Sequence, residues 1–405
     1  MKVIFIATMF SDVEADIKLS KKANSVSGHK FQENLIKGLF ENDCDLTIIN
    51  VPRVRTYPNY PKIFIPKKKR MWLGSIPRTD VGRINLSLFS YITSWFGCYS
   101  VLRKELKKNK NEPYILVTFN SNLYTCLPML LAKVMHKNVT LCNVVGDLHG
   151  SYGLHNRTPG LKGFMIRVVE RLQDPIGKKL DTFVFLTKDM AGAMGVADKP
   201  NCIVEGLYNM KPQEDTPSCA EDENAKIVFY AGTMCKEYGL DHLLRAFSMI
   251  ENPDYQLWLA GIGDTVPLIE EYANKDFRIK YLGYITPQEV AERQNRATAL
   301  ISPRTSELEF VKYSFASKTM ECLASGKPYI AHKLPCDPPE YAQHIQYAAD
   351  DSDEALRDKM VEVCELSQSQ RKKIGEDARN FIATQKNPRV MCRRIVDMWE
   401  SLETN

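Results

Sequence analysis

Short, almost wholly apolar segments followed by turns and helices dominate the sequence and limit the folds open to it. Lys2–Thr8 is the first, and after a long loop come a predicted helix over residues 28–40 and a second apolar segment, Asp45–Val51. Strands that lack polar alternation are covered on both faces, which is typical of parallel sheets flanked by helices. We therefore predict an α/β fold. Further strands are predicted at Tyr114–Phe119, Val139–Val145 and Thr182–Thr187.

The strand and helix pattern stops once and then restarts. Residues 209–226 are polar and acidic and show no periodicity, which predicts a linker. A strand at Ile227–Ala231, a helix over 240–250 and a strand at Gln256–Ala260 follow. We predict two Rossmann-like parallel-sheet domains, followed by a final helix. The predicted bounds are 1–208, 227–387 and 388–405.

Length and composition fit two domains of ordinary size. The chain has 405 residues, of which 44% are hydrophobic and 25% charged. No apolar run reaches about eighteen residues, so we predict no membrane span. The opening MKVIFIATMF predicts a buried strand and not a signal peptide. The 11 cysteines have no regular spacing, which predicts reduced thiols in a cytoplasm and no zinc site.

The net charge of +5 is modest but unevenly placed. Lys67–Arg70 is a basic cluster between apolar residues, and either a solvated loop or a contact with anionic lipid fits it. Residues 86–99 carry Leu88, Tyr91, Ile92, Trp95 and Tyr99 at helical spacing, and core packing is favoured over a lipid-facing surface. The amphipathic basic segment 158–172 has the same two interpretations. No nucleic-acid motif accompanies the charge.

Residues 314–334 have the strongest functional pattern. Ser314 or Ser317 is expected to cap a helix whose first free amides, with Lys318, form an anion site. Glu321 shares a face with Lys318 and can accept hydrogen bonds from hydroxyls. Gly326 is expected to end the helix before a strand at Tyr329–Ala331. A phosphate bound at the helix start and a diol bound one turn further along are both parts of a nucleotide sugar, so the pattern predicts a nucleotide-sugar site. An ordinary corner between a helix and a strand has the same pattern.

The sequence contains the pair Pro303-Arg304 and, further on, the segment YSFASKTMECLASGKPYIA, which begins at Tyr313. Together they resemble the donor segment of the retaining glycosyltransferases of family 4, which have the GT-B fold. In that family two Glu residues flank a Phe-Gly turn, and the second binds the nucleotide ribose. Glu321 matches the second Glu, Tyr313 stands where the first is expected, and Ala316 stands at the Gly. The Ser-Lys pair and LASGKP are similar to a bacterial branch that makes capsule, exopolysaccharide and lipopolysaccharide.

The resemblance implies two domains that face a central cleft, with a C-terminal helix that crosses back to the N-terminal domain. It also implies a nucleotide diphosphate sugar as donor, with UDP the family's usual nucleotide, and no metal cofactor. The family's phosphate-binding Arg and Lys correspond to Thr233 and Tyr238, so we assign phosphate binding to Arg304 and Lys318, supported by Lys236. Glu307 or Glu309 could stand in for the missing first Glu. The predicted donor-binding set is Gly232, Thr233, Lys236, Gly263, Tyr284, Ile285, Tyr313, Phe315, Ala316, Ser317 and Glu321.

The acceptor is assigned to the N-terminal domain. In the family an Asp or His faces the reacting sugar at a strand end, and Asp147 and His149 follow the strand Val139–Val145. Ser27 and Gly28 belong to the first loop, which binds acceptor in the family. The predicted catalytic set is Asp147, His149, Arg304 and Lys318.

The leading hypothesis is a cytoplasmic retaining transferase that moves a hexose-type sugar onto a polyprenyl-linked oligosaccharide for surface polysaccharide, with anionic membrane as a further partner. A catalytically silent sugar-nucleotide-binding partner of another transferase and a sugar-nucleotide epimerase on the same fold are the alternatives.

Overall fold

A computed structural model describes residues 1–21, 26–109, 111–148, 168–169, 171–173, 175–210 and 225–403. Its contacts divide the chain into two compact units: residues 1–207 with 388–405, and residues 208–387. Residues 211–224 of the predicted linker 209–226 lie outside the described residues, as do residues 158–167 and 170 of the amphipathic segment 158–172. Within the described residues, no helix combines the length and apolar character needed to cross a bilayer.

The first unit is built on an eight-stranded sheet in the order β10-β9-β8-β7-β1-β2-β5-β4, parallel except for the antiparallel β4–β5 pair. A small antiparallel β3–β6 pair stands beside it. The strands are β1 Lys2–Ala7, β2 Asp45–Asn50, β3 Phe64–Ile65, β4 Lys68–Trp72, β5 Ile76–Asp80, β6 Arg83–Ile84, β7 Tyr114–Phe119, β8 Val139–Val145, β9 Thr182–Phe185 and β10 Asn201–Ile203. The helices are α1 Val13–Leu19, α2 Ser27–Phe40, α3 Ser87–Leu106, α4 Leu123–Met135 and α5 Met190–Met194.

The second unit has a wholly parallel six-stranded sheet in the order β13-β12-β11-β14-β15-β16. Its strands are β11 Lys226–Ala231, β12 Tyr255–Ala260, β13 Ile279–Tyr281, β14 Ala299–Ser302, β15 Tyr329–Ala331 and β16 Gln346–Tyr347. Its helices are α6 Leu240–Ser248, α7 Val266–Lys275, α8 Pro287–Arg296, α9 Ser317–Ala324, α10 Asp353–Glu365 and α11 Gln368–Gln385. The last helix, α12 Pro388–Glu403, belongs to the first unit.

Both sheets are buried as the apolar strands predict. Along β11, Phe229 enters one apolar cluster while Val228 and Tyr230 enter another on the opposite face. In the first unit, Phe5 of β1 and Trp399 of α12 share one cluster. Helices therefore cover both faces of the second sheet, and α12 completes the core of the first. The predicted α/β class with two Rossmann-like units is confirmed.

Three expectations for the first unit are wrong. The loop after β1 contains α1, which Asp12 caps by accepting from the amide of Ala15. The basic cluster is not a loop, because Lys68–Trp72 forms edge strand β4 and Arg70 pairs with Asp80. Residues 87–99 are helical, but Tyr91 and Ile92 are exposed, since small residues occupy the buried side of α3. The side chain of Leu88 is not described. Those buried small residues include Ser90, Ser94 and Cys98.

Candidate functional site

The loops after β11 and β12 touch each other through their backbones. The amide of Met234 donates to the carbonyl of Ile262 at 2.9 Å. Gly261 has a φ of 147°, and a Cβ there would lie 1.8 Å from the carbonyl oxygen of Gly232. A Cβ at Gly263 would lie 2.1 Å from the carbonyl oxygen of Met234. Contact between the loops therefore explains the G-x-G sequence, and donor binding by Gly232 and Gly263 stays a prediction.

Arg304 lies just beyond β14 and is only 6% exposed. Its guanidinium carbon is 4.8 Å from the ring centre of Phe310 and 5.7 Å from that of Tyr238. Nη1 donates to the carbonyl oxygen of Ser314 at 3.3 Å. The guanidinium therefore links the loop after β11 to the turn that precedes α9.

The other two guanidinium nitrogens of Arg304, Nε and Nη2, are buried and have no hydrogen-bond partner among the described residues. The carboxylate of Asp337 is nearby, but it accepts from the Tyr347 hydroxyl at 2.9 Å and the Leu334 amide at 3.1 Å. Burial raises the pKa of Asp337, and the positive charge of Arg304 acts in the opposite direction. Because a buried charge without an acceptor is costly, Arg304 is a candidate for binding an anionic ligand, and its predicted role in phosphate binding stays a prediction.

Helix α9 begins beside this arginine without a side-chain cap. Ala316 is the N-cap residue, so the expectation that Ser314 or Ser317 caps the helix is wrong. Ser314 lies two residues before the N-cap, and its carbonyl oxygen accepts a hydrogen bond from Arg304. Ser317 is the first helical residue and therefore lies one residue beyond the N-cap. The first amides of α9 consequently have no side-chain acceptor, and the helix dipole favours an anion there.

Lys318 and Glu321 lie on one half-exposed face of α9, with Nζ and Oε2 3.7 Å apart. Phe315 instead packs in the core, its ring 5.4 Å from that of Tyr341. Gly326 has a φ of 79° and follows the last turn, so the predicted helix end is confirmed. Met320, Leu323 and Ala324 of the same helix are buried. A cation and a carboxylate are therefore presented together at the start of α9.

The remaining predicted donor residues lie on separate loops. Thr233 and Lys236 are exposed after β11, and the Thr233 carbonyl accepts from the Tyr230 hydroxyl at 2.9 Å. Tyr284 is 72% exposed after β13, whereas Ile285 packs against the core. Tyr313 ends the 3₁₀ turn Glu309–Tyr313 and is half-buried. Their contact with a donor stays a prediction.

In the first unit, Ser27 and Gly28 form the first turn of α2, which also lacks a side-chain cap. A Cβ on Gly28 would lie 2.7 Å from Nη1 of Arg53 and 3.7 Å from the ring of Phe119. The absent side chain lets the guanidinium of Arg53 reach the start of the helix. Sequence reasoning missed Arg53, although its position after β2 was a usable signal, since α/β sheets bind ligands beyond their strand ends.

Asp147 is the second residue after β8 and is exposed. His149 lies outside the described residues. The catalytic roles assigned to both stay predictions.

Cys235, Glu237 and Asp264 offer ligand atoms within 4.8 Å of one another on the loops after β11 and β12. Burial and then the negative charges of Asp264 and Glu237 raise the pKa of the Cys235 thiol. The neutral thiol is therefore favoured, and the expectation of no metal stays a prediction.

Similar folds recur among solved structures. A sucrose-phosphate synthase from Thermosynechococcus elongatus matches with a TM-score of 0.64 at 14% identity, covering 100% of both chains. The lipopolysaccharide outer core galactosyltransferase WaaB matches with a TM-score of 0.59 at 14% identity, covering 99% of both chains. The Anabaena protein HepE in complex with UDP matches with a TM-score of 0.58 at 11% identity, covering 99% of this chain and 100% of that one. These likenesses establish the GT-B fold.

Residues 213–381 match the model of the family described as glycosyl transferases group 1. The chain therefore contains a domain that matches the glycosyl transferases group 1 model, within a chain whose fold is GT-B. The segment that matches includes Arg304, Lys318 and Glu321. A search of curated protein sequences found no match.

Proposed function

We propose that the protein is a retaining glycosyltransferase of family 4 that moves a sugar from a UDP-sugar onto a lipid-linked or oligosaccharide acceptor during bacterial surface polysaccharide synthesis. The observation that carries the donor assignment is the buried guanidinium of Arg304, with two nitrogens that lack an acceptor among the described residues. The sequence likeness to the capsule and lipopolysaccharide branch supports the pathway. UDP bound to the Anabaena neighbour supports the choice of nucleotide.

The donor diphosphate binds Arg304, the uncapped start of α9 and Lys318, with Lys236 in support. As the bond from the anomeric carbon to the diphosphate breaks, negative charge grows on the leaving oxygen. Fixed cations and helix amides stabilise that charge. The acceptor oxygen forms the new bond to the same carbon, and its proton passes to the departing diphosphate oxygen. Glu321 accepts hydrogen bonds from the ribose hydroxyls, for which a carboxylate is suited.

Acceptor binding is proposed for Ser27, Gly28 and Asp147 of the first unit. The new observation there is Arg53, whose Nη1 stands at the first turn of α2. A polyprenyl-linked acceptor carries phosphates, which a guanidinium binds well. We further propose that the protein works in the cytoplasm, at the inner face of the membrane where such an acceptor lies.

Tyr313 favours a second candidate, a catalytically silent sugar-nucleotide binder. It occupies the position where the family places a Glu at the donor sugar, and a phenol cannot act as a carboxylate at neutral pH. Glu309 stands at the other end of the same 3₁₀ turn. An active enzyme releases UDP in the presence of acceptor, whereas a silent binder holds the nucleotide without turnover.

Isothermal titration with UDP, GDP and their common sugars tests the donor site, using wild type, Arg304→Met, Lys318→Ala and Glu321→Ala. Lys372→Ala and Glu376→Ala are matched controls, because that ion pair also spans 3.7 Å on the exposed face of α11. We expect nucleotide binding that is weakened in the first three variants and unchanged in the two controls. If wild type binds no nucleotide, or if the controls weaken binding equally, the donor assignment is wrong.

A further inference from the structure

Helix α3 exposes a continuous apolar face. Phe89, Ile92 and Phe96 are 58%, 46% and 59% exposed, and their spacing places them on one side of the helix. A neighbouring side of α3 packs against β6, where the amide of Ile84 donates to Thr93 Oγ1 at 3.1 Å. The exposed face is therefore distinct from the face that holds α3 to the sheet.

Helix α4 extends this apolar face. The ring centres of Tyr91 and Tyr124 are 5.8 Å apart, and the Tyr99 hydroxyl lies 3.2 Å from Sδ of Met135. These contacts join the two helices at two places along their lengths. The large exposed apolar residues of the two helices, which we call the α3–α4 surface, are Phe89, Tyr91, Ile92, Phe96, Leu127, Leu131, Val134 and Met135.

Positive charge borders the α3–α4 surface. Arg103, Lys104 and Lys107 are exposed where α3 ends. Helix α4 contains no acidic residue, and the one acidic residue of α3, Glu105, pairs with Lys108. The edge of the apolar surface is therefore cationic, with little opposing charge on its own helices.

A second basic and apolar segment flanks α3 on the β6 side. Phe64 of β3 pairs with Ile84 of β6 and is 72% exposed. Lys68 and Lys69 of β4 are exposed, whereas Arg70 is engaged by Asp80. The free cations of the basic cluster thus stand on the same unit as the α3–α4 surface.

We propose that the α3–α4 surface docks onto an anionic lipid surface, with its apolar side chains in the interfacial region and Arg103, Lys104 and Lys107 against the headgroup phosphates. Large exposed apolar patches mark interaction sites, and aromatic and aliphatic side chains beside cations suit a membrane interface. A second copy is a poorer occupant, because pairing two such surfaces would bring their cations together. The inference deepens the membrane part of the proposed function and does not depend on sugar transfer.

The test is sedimentation of the full chain with phosphatidylglycerol/phosphatidylcholine vesicles, and with pure phosphatidylcholine vesicles, at low and high salt. Phe96→Ser with Leu131→Ser removes apolar contacts, and Arg103→Gln with Lys104→Gln removes charge. We expect each double variant to lose about 10-fold or more in binding to anionic vesicles. Phe277→Ser, at a residue 80% exposed in the second unit, and Lys372→Gln with Lys373→Gln on α11 are matched controls and should bind as wild type does.

A spectroscopic arm locates the contact. Trp95 lies in α3, stacked on Tyr99 with ring centres 5.9 Å apart. Brominated lipid should quench the fluorescence of wild type strongly, and Trp95→Phe should remove most of that quenching. If Trp72→Phe removes it instead, strand β4 makes the contact and the proposal is overturned.

Two further results would overturn the proposal. One is equal binding of both double variants and wild type. The other is a stable dimer in sedimentation velocity that Phe96→Ser with Leu131→Ser abolishes, since a second copy then covers the surface. UDP titration on the same preparations separates this proposal from the donor site: both double variants should retain nucleotide binding, whatever happens to vesicle binding.

Discussion

Arg78 in the first unit and Arg304 in the second are both buried, and the two have opposite surroundings. Arg78 in β5 is 4% exposed and donates to Oδ1 of Asp80 at 2.9 Å and to the carbonyl of Phe10 at 2.7 Å. Arg304 is 6% exposed, with a single weak bond to Ser314. A buried charge that is fully paired within the fold serves structure, whereas one left without acceptors is prepared for a ligand.

The Arg78 surroundings form a closed network. The carboxylate of Asp80 also accepts from Nδ2 of Asn50 at 2.8 Å and from Oγ of Ser11 at 3.0 Å, and it pairs with Arg70. The network joins the carboxyl ends of β1, β2 and β5. By contrast, Arg304 contacts two aromatic rings and one carbonyl oxygen, and the nearby carboxylate of Asp337 accepts from Leu334 and Tyr347 instead.

The largest expected effect is on the first unit. Asp80→Ala leaves Arg78 buried without its carboxylate, so we expect a loss of about 3–5 kcal/mol in the free energy of unfolding. Chemical denaturation followed by circular dichroism measures it. Asp397→Ala, which removes a surface pair with Arg393, should cost less than about 1 kcal/mol. Similar losses in both variants would contradict a structural role specific to Asp80.

Acid should weaken the same network by a smaller amount. Burial alone would raise the pKa of Asp80, but Arg78, Asn50 and Arg70 outweigh it and hold the pKa below its usual range. Because the folded-state pKa lies below the unfolded one, this stabilisation is fully present above the unfolded pKa. It is lost as the pH falls through the folded pKa. Denaturation at several pH values should show a steeper acid loss for wild type than for Asp80→Asn, and parallel curves would contradict the assignment.

The two arginines also differ in how far sequence could anticipate them. In the second unit most strands alternate with helices along the chain, and local signals are strong. Thr286 caps α8 and forms with Glu289 a capping box whose pattern is readable from the sequence, and Gly326 ends α9 as predicted. The elements there were therefore predictable. The burial of Arg304 was not, because it depends on Tyr238, Phe310 and Ser314, which only the fold brings together.

The first unit was harder to predict between β2 and β7. Strands β3 and β6 have two residues each, too few to show a period. Strand β4 is an edge strand whose sequence KKRMW is mostly exposed, and its pairing with β5 is antiparallel. Strand β4 forms because its backbone makes hydrogen bonds to β5. Backbone hydrogen bonds of this kind cannot be predicted from the spacing of hydrophobic residues. The interaction of Arg70 with Asp80 was hidden for the same reason.

Arg304→Met is the next test of the difference between Arg304 and Arg78. Methionine has no charge to bury, so we expect unchanged or higher thermal stability without ligand, the reverse of Asp80→Ala. Nucleotide binding should weaken by about 1.5–3 kcal/mol, roughly 10- to 150-fold, because hydrogen bonds to a charged group are lost. Differential scanning fluorimetry and titration with UDP measure the two quantities. A destabilised variant with normal affinity would make Arg304 structural, like Arg78.

The smallest expected effect concerns Glu321, and it distinguishes a role in ligand binding from a role in a surface ion pair. Glu321 and Glu376 each lie 3.7 Å from a lysine on their own helix, so their loss should change stability little and equally. If Glu321 accepts ribose hydroxyls, Glu321→Ala should lower UDP affinity by about 1 kcal/mol, roughly five-fold, while Glu376→Ala leaves it unchanged. Comparing UDP with uracil-containing ligands that lack the ribose hydroxyls sharpens the test, because the variant should lose its defect with them. An equal defect with both ligands would mean that Glu321 acts through the shape of α9 and not through the ribose.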